Sequence, residues 1–272
     1  MVTEQSMLAV LKKLGICEGD KVLVHSSFKS LGEVEKGAET VISALQKAVG
    51  EDGTVIFPTL CKENFTHAYE TWHIDKPSEI GYLTNYFRLL PGALRSDQAT
   101  HSVAAMGKDA AYLTQTHGQT GKRYGIYGDT PFAADSPWEK MYQMNTKVIF
   151  IGVTLIKCTF RHYAEYCHME ECLKKIKDRP DYEALKDRVW CYDDFENPGV
   201  WPHINSLYVH EVLKEAGKLW IEQCGDAEIT MVSSKDFVET SWELLKKNVP
   251  ELLNAKWGPP YFEWIKDTGI TF

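Results

Sequence analysis

The chain has 272 residues, 44% of them hydrophobic and 25% charged, which is the composition of a globular protein long enough for a full core. Its net charge of -8 argues against a nucleic-acid surface, because phosphate binding needs clustered Lys and Arg. No apolar run approaches the about 20 residues of a membrane span, and the N-terminus lacks a signal peptide, so a cytoplasmic protein is expected. The seven cysteines include no Cys-x-x-Cys pair, which predicts reduced thiols and neither disulfides nor a metal site.

The first part of the chain predicts a βαβ unit. Apolar residues at helical spacing predict a helix over Ser6 to Leu14, and the next apolar run predicts a buried strand from Lys21 to Val24. A helix from Glu39 to Val49 and a strand from Thr54 to Pro58 come after them. Two strands joined through a helix form a parallel pair, and ligands bind at the carboxyl ends of such strands.

A loop rich in hydroxyl groups follows the first predicted strand. This His-Ser-Ser loop runs His25-Ser26-Ser27-Phe28-Lys29-Ser30-Leu31-Gly32. Backbone amides and serine hydroxyls at this place suit an anionic group such as a phosphate. The chain has neither a Walker motif nor Gly-x-Gly-x-x-Gly, so the usual nucleotide folds are not supported. The alternative is that the serines only make hydrogen bonds within a turn.

The middle of the chain contains a polar and aromatic stretch, Cys61 to Lys76, that predicts a substrate-binding loop. A helix is predicted from Ser78 to Leu90, before a Pro-Gly stop. Leu94 to Gly107 predicts a polar turn that leads into a strand of small residues. Pro137 predicts the first turn of another helix.

The stretch from Lys147 to His168 gives the strongest indication of chemistry. An apolar run ending at Ile151 predicts a buried strand, and Thr159 can cap the helix that follows. On this helix His162 and Glu165 stand three residues apart, so their side chains share one face and can meet. The alternative is an ordinary surface or core pair, because a single His-x-x-Glu pair is common.

Beyond Glu170 the chain changes character and carries a basic run, Lys174 to Lys177. Two helices are predicted in this part, over about Ser206 to Ala216 and Ser234 to Asn248, on either side of a strand near Glu228 to Val232. No linker separates it from the rest, so one domain over residues 1–272 is predicted.

Five segments form a combined pattern: VLVHSSFKSLG at Val22 to Gly32, GTVIFPT at Gly53 to Thr59, LRSDQATHSVAAMG at Leu94 to Gly107, SPWEK at Ser136 to Lys140, and IGV to HYAE at Ile151 to Glu165. In order and spacing they resemble the aminoglycoside N(3)-acetyltransferase family of antibiotic-modifying enzymes. The resemblance covers roughly Leu14 to Glu170, and the part beyond about residue 170 is divergent.

The resemblance implies an α/β fold in a single domain, with a central, mostly parallel or mixed sheet flanked by helices, distinct from the GNAT-type acetyltransferases. It also implies acetyl-CoA as donor and a small cationic amine as acceptor. The first expectation for the acceptor is the 3-amine of a 2-deoxystreptamine aminoglycoside, with antibiotic resistance as the role. A homodimer is allowed, and no metal, nucleic acid or membrane partner is expected.

Carried over position by position, the resemblance makes His162 the general base and Glu165 the carboxylate that orients it. Coenzyme A would be held by the His-Ser-Ser loop and by the turn before the small-residue strand, through His25, Ser26, Ser27, Phe28, Ser30, Leu31, Gly32, Arg95, Ser102 and Val103. For Arg95 the alternative is a brace that holds its loop.

Two stretches, Cys61 to Lys76 and Val189 to Trp201, supply the candidates for the acceptor site. Trp72 and Trp201 could flank a sugar ring, and four acids could pair with ammonium groups: Asp75, Asp193, Asp194 and Glu196. Solvated surface acids are the alternative for each of the four. The chain departs from the family pattern at Gln98-Ala99, where many members have His-Pro, and at Asn85, where drug-modifying relatives are expected to have an acid. These departures concern the acceptor more than the reaction.

Four alternatives stay open at this stage. The same chemistry could act on an amine of a natural product or metabolite. Cys158 or Cys167 could accept the acyl group as a nucleophile. A metal-dependent hydrolase could use His162, Glu165 and His168. The chain could also be an inactive protein that binds coenzyme A.

Overall fold

The computed structural model describes residues 1–61, 65–117, 131–190, 199–255 and 258–272. Seven strands of this described part form one sheet: β1 (Lys21–Ser26), β2 (Thr54–Pro58), β3 (Leu94–Arg95), β4 (Val103–Gly107), β5 (Lys147–Ile151), β6 (Trp220–Cys224) and β7 (Ala227–Ser233). Their order across the sheet is β3-β4-β2-β1-β5-β7-β6. Strand β1 is parallel to β2 and β5, and the other pairs are antiparallel. The predicted α/β class with a mixed sheet is confirmed.

Helices cover both faces of the sheet. In the described part of the chain they are α1 (Glu4–Lys13), α2 (Ala38–Val49), α3 (Tyr82–Arg88), α4 (Ala110–Thr114), α5 (Pro137–Gln143), α6 (Phe160–Ile176), α7 (Tyr182–Trp190), α8 (Ser206–Glu215), α9 (Ser234–Lys246) and α10 (Gly258–Thr268). Short 3-10 segments lie at Phe28–Leu31, Phe65–Glu70, Leu155–Lys157 and Pro250–Leu252. Among the described residues, no helix is both long enough and apolar enough to cross a membrane.

The sheet has an apolar core on each face, because successive side chains of a strand point to opposite sides. In β1, Leu23 packs into the core that also contains α6, α8 and α9. Its neighbours Val22 and Val24 pack into the core that contains α1 and α2. The central strands are therefore buried on both faces, which explains why their sequences are continuous apolar runs rather than alternating ones.

The helix predicted over Ser78 to Leu90 is shorter in the structure, because α3 begins at Tyr82. The Asn85 side chain accepts a hydrogen bond from the Ser78 backbone amide at 3.0 Å and donates to the Ser78 carbonyl. Gly81 has a φ of 142°, a conformation that favours glycine. Residues 78–81 are thus held in a turn ahead of the helix.

The C-terminal part contains three elements that were not predicted from the sequence: α7, α10 and β6. Strand β6 forms a hairpin with β7 through a two-residue turn, Gly225-Asp226, and such a Gly-Asp pair is a hairpin signal. The basic run at Lys174 to Lys177 belongs to the end of α6, where positive charge stabilises the negative end of a helix.

Gly152 follows β5 and fixes the position of the His-Ser-Ser loop. Its φ of 60° lies in the left-handed region, and a Cβ atom there would meet the side chain of Ser30. Ser30 Oγ donates to the Gly152 carbonyl at 3.3 Å, and the Ser27 amide donates to the Ile151 carbonyl at 2.8 Å. The loop after β1 therefore packs directly against the end of β5.

We predict that Gly152→Ala lowers the free energy of unfolding by about 3 kcal/mol, because left-handed strain adds to overlap with Ser30. Gly15→Ala is the matched control. Gly15 has a φ of 79° and nothing within 4 Å of the added Cβ, so backbone strain alone should cost about 1–2 kcal/mol. Urea denaturation of both variants gives the comparison, and equal losses would show that the Ser30 contact contributes nothing.

Candidate active site

A cavity of about 710 Å³ lies at the carboxyl ends of β1, β2 and β5. Ser26 lines it from the end of β1, Leu60 from beyond β2, and Thr84 from α3. Lys157 lines it from the segment that joins β5 to α6, and Arg161 lines it from the first turn of α6. The cavity occupies the crevice that the parallel strand pair predicts.

His162 and Glu165 meet on the first turns of α6, beside this cavity. His162 Nδ1 lies 2.9 Å from Glu165 Oε2, a hydrogen bond between residues i and i+3 of the helix. The His162 side chain is 16% exposed and lines the cavity, whereas Glu165 is 0% exposed. Thr159 precedes the helix as predicted, but its side chain makes no capping hydrogen bond.

Three donors compensate the buried carboxylate of Glu165. Trp201 Nε1 donates to Oε2 at 2.9 Å, and the Ile204 backbone amide donates to Oε1 at 2.7 Å. The third donor is the His162 ring. An unpaired buried carboxylate would cost several kcal/mol, so this set of bonds is what allows the charge to be buried. Trp201 is itself buried, which rules out the predicted role as a sugar platform.

Arg161 determines which nitrogen of His162 carries the proton. Its Nη2 lies 3.1 Å from His162 Nε2, and a guanidinium can only donate. We therefore assign Nε2 as the acceptor and Nδ1 as the protonated nitrogen that donates to Glu165. The unprotonated edge of the ring thus carries the lone pair that a general base needs.

Burial and charge together keep the imidazole neutral and the carboxylate ionised. Burial lowers the pKa of His162, the charge of Arg161 lowers it further, and Glu165 opposes both. For Glu165, burial acts to raise the pKa, but His162 and Arg161 outweigh it and the net pKa is lowered. At neutral pH the pair is therefore a neutral base oriented by an anion.

A family model covers most of the chain. This model, described as aminoglycoside 3-N-acetyltransferase, of the antibiotic N-acetyltransferase type, matches residues 23–246. The chain belongs to this family. The resemblance inferred from the five sequence segments is thereby confirmed.

Curated relatives of the family match a shorter part of the chain. Aminoglycoside N(3)-acetyltransferase III from Salmonella sp is 33% identical over 182 residues, which cover 61% of this chain and 60% of the relative. The aminoglycoside N(3)-acetyltransferase VII of Streptomyces paromomycinus is 32% identical over 184 residues, which cover 60% of each. The matched part thus spans about three fifths of the length of these relatives.

Solved structures show the same fold over most of the chain. AAC-IIIb in a binary complex with CoASH superposes with a TM-score of 0.70 at 20% identity, covering 90% of this chain and 97% of that chain. The apoenzyme of aminoglycoside acetyltransferase AAC(3)-IVa gives a TM-score of 0.70 at 20% identity and covers 98% of both. At this level of identity the similarity establishes the fold of this acetyltransferase-family member.

The His-Ser-Ser loop contributes two residues to the cavity. Ser26 lines it, as does His25, which is buried and stacks on Phe150 with ring centroids 5.2 Å apart. The other predicted residues of this loop shape it: Ser27 and Ser30 bond each other, Phe28 packs on Tyr82, Leu31 lies in the core, and Gly32 has a φ of 73°.

The side chains of the turn predicted to hold coenzyme A are hydrogen-bonded or buried within the protein. Arg95 donates to the carbonyls of Thr59 and Ile74 at 2.8 and 2.9 Å, a geometry that favours the bracing alternative. Ser102 Oγ lies 2.8 Å from Thr59 Oγ1, and Val103 is buried in β4. None of these three side chains lines the described cavity.

The predicted acceptor residues are only partly described. The Arg95 guanidinium stacks 4.6 Å above the Trp72 ring, and the Trp72 indole donates to Asp97. Asp75 is exposed. Asp193, Asp194 and Glu196 lie outside the described residues. Cavity residues that were not assigned from the sequence include Glu79, Lys157 and Arg161.

The cysteine and metal alternatives lose support from the geometry. Burial raises the pKa of Cys158 and of Cys167 to about 12, which keeps both thiols protonated and poorly nucleophilic. His168, which the hydrolase alternative needs, bonds the Tyr261 hydroxyl at 2.7 Å within the core. Among the residues that the structure describes, no three His, Cys, Asp or Glu side chains are grouped to hold a metal ion.

Buried neutral histidines predict loss of stability in mild acid. Burial lowers the pKa of His25, His117 and His168 to about 3 and that of His203 to about 4. The unfolded chain binds these protons below about pH 6.5, whereas the folded chain does not until pH 3–4. Stability therefore falls as the pH falls through this window, because the unfolded chain takes up protons that the four buried rings do not.

Urea denaturation between pH 4.5 and pH 8 measures this slope. His168→Gln removes one of the four groups, so stability should fall less steeply with pH in this variant than in the wild type. A wild-type stability that does not change between pH 6.5 and pH 5 would contradict the prediction.

Proposed function

We propose that this family member is an acetyl-CoA-dependent N-acetyltransferase that acetylates an amine, with His162 as general base and Glu165 as its orienting carboxylate. The observation that carries the proposal is the 2.9 Å bond between His162 Nδ1 and the buried Glu165, beside the cavity at the strand ends. Family membership supports the reaction class. The similarity to AAC-IIIb, which was solved in complex with CoASH, supports the co-substrate.

The chemistry follows from the state of the pair. An alkylammonium must first release one proton to solvent, because only the neutral amine can attack a thioester. The neutral Nε2 of His162 is placed to take a second proton from the amine nitrogen as it attacks. Glu165 stabilises the imidazolium that forms. The amine nitrogen then bonds the acetyl carbon, the carbon–sulfur bond breaks, and the coenzyme A thiolate recovers the proton. Donor and acceptor are bound together, so transfer is direct.

The cavity residues fit a pantetheine arm with an anionic end. Ser26 offers a hydroxyl group, His25 offers a buried ring, and the Lys157 side chain offers a positive charge for a phosphate. The remaining residues of the His-Ser-Ser loop fix the loop that receives coenzyme A. Arg95, Ser102 and Val103 brace the segment that follows β2. The homodimer stays a prediction from the sequence.

The acceptor that the family indicates is the 3-amine of a 2-deoxystreptamine aminoglycoside, and resistance to that drug would be the consequence. A second candidate is an amine of a natural product or metabolite. It is favoured by the cavity wall, where Arg161 and Lys157 are cations and Glu79 is an acid. Asn85 stands at the position where an acid was expected, and its side chain is hydrogen-bonded to the backbone of Ser78.

Release of the coenzyme A thiol from acetyl-CoA tests the proposal directly. The acceptors are a panel of 2-deoxystreptamine aminoglycosides and a panel of uncharged and monocationic amines, with a reaction lacking acceptor as control. Turnover with an aminoglycoside supports the first acceptor, and turnover with the other amines alone supports the second. Absence of transfer to every amine, with acetyl-CoA bound, would contradict the proposed activity.

We predict that His162→Ala lowers kcat by about 10²- to 10⁴-fold and leaves the affinity for acetyl-CoA nearly unchanged, because only the proton acceptor is lost. Glu165→Gln should also lower kcat by about 10²-fold or more, since a donating amide at Nδ1 would move the proton to Nε2. Steady-state kinetics and isothermal titration with acetyl-CoA separate rate from binding.

Cys158→Ala serves as the matched variant for this prediction. It should keep most of the activity, because transfer does not pass through a thiol. Loss of activity in Cys158→Ala together with ping-pong kinetics would replace direct transfer by a covalent mechanism.

A further inference from the structure

Arg161 places a positive charge in contact with the proposed base. It lies in the first turn of α6, is 30% exposed through its side chain, and lines the cavity. Its Nη2 is 3.1 Å from His162 Nε2, and its Nε is 3.8 Å from Glu165 Oε1. The guanidinium therefore covers the nitrogen that must receive the proton of the acceptor amine.

The chemistry of the guanidinium limits what it can hold during the reaction. It has five N–H donors, no acceptor and a permanent charge, so its partner must be an acceptor atom. The phosphates of coenzyme A are separated from the thioester by the whole pantetheine arm, which keeps them away from His162. The acceptor amine is a cation until it gives up its proton. Among the reacting groups, this leaves the carbonyl oxygen of the thioester.

The required distances agree with that partner. The reacting amine must lie about 3 Å from His162 Nε2 and about 3–3.5 Å from the thioester carbon. The carbonyl oxygen is about 1.2 Å from that carbon. Because Arg161 Nη2 lies 3.1 Å from His162 Nε2, it has to leave that nitrogen when the amine binds there, and the thioester oxygen is the acceptor atom next to the amine.

We propose that Arg161 is a further catalytic residue, which donates to the thioester carbonyl oxygen and stabilises the negative charge that develops there. As the carbon–nitrogen bond forms and the amine proton passes to His162 Nε2, the carbonyl electron pair moves to the oxygen beside Arg161. This electron pair returns to the carbonyl bond when the carbon–sulfur bond breaks, and the thiolate takes the proton from the imidazolium. The inference rests on the proposed N-acetyltransferase function.

The kinetic test compares Arg161→Met with Arg161→Lys. Removing one donor of this type lowers kcat by about 10²- to 10³-fold, so Arg161→Met should lose that factor on the pH-independent plateau. The loss should be the same for each acceptor, with little change in KM for acetyl-CoA, and Arg161→Lys should recover part of it. Arg188→Met, which removes an exposed arginine that pairs with Asp267 and does not line the cavity, is the matched control.

The pH profile separates this role from tuning of the base. Among the described residues, the titratable or charged groups near His162 include Arg161 and Glu165 on its own helix, His101 with ring centroids 5.7 Å away, and His203. His25, Glu79 and Lys157 line the same cavity. The charge of Arg161 lowers the pKa of His162, so its loss should also move the acidic limb to higher pH. If Arg161→Met shifts the acidic limb of the kcat profile but leaves its plateau unchanged, the inference is overturned. A loss of kcat that is confined to one class of acceptor would also overturn it.

A second measurement needs no turnover. Acetyl-CoA labelled with ¹³C at the carbonyl should show a downfield shift on binding to the wild-type protein, because a donated hydrogen bond polarises the carbonyl. The shift should be lost in Arg161→Met and kept in Arg188→Met. A protein that binds acetyl-CoA with this shift but acetylates no amine would contradict the proposed function alone, and an equal shift in Arg161→Met would contradict the role of Arg161 alone.

Discussion

The charge on Glu165 is the constraint on which the candidate site depends. A carboxylate with no exposed surface is tolerated only when its oxygens are bonded, and the donors come from two distant segments. His162 lies on the same helix, whereas Trp201 and the Ile204 amide come from the segment before α8. The bond from His162 also fixes the ring orientation and tautomer of the base. The same hydrogen bond therefore compensates the buried charge and orients the base.

Much of the fold could be predicted because its central strands carry local signals. Strand β2 begins and ends where the apolar run does, and the helix between β1 and β2 shows clear amphipathic spacing. Strand β6 was missed because its side chains are mostly exposed and give no alternation, although the Gly225-Asp226 turn marks the hairpin. Helix α3 was predicted too long because the Asn85 contacts that hold the preceding turn cannot be read from spacing.

In the site, too, contacts between residues close in sequence could be predicted, and contacts between distant residues could not. The hydrogen bond of His162 with Glu165 follows from helical spacing, and the structure shows it. The role of Trp201 depends on a contact across 36 positions of sequence, which no local pattern encodes. Arg95 looked like a phosphate ligand because it is a cation in a polar turn, but its donors are used by backbone carbonyls. Arg161 was overlooked although it directly precedes the base.

The order of the strands has a consequence for synthesis of the protein on the ribosome. Strand β5, which leads to α6, pairs on one side with β1 from the start of the chain and on the other with β7 from near its end. Such non-local pairing slows folding. A nascent chain that has not yet delivered Ile204 carries α6 with a carboxylate that it cannot bury. The set of bonds to Glu165 can thus be completed only after Ile204 has been synthesised, although His162 and Glu165 lie mid-sequence.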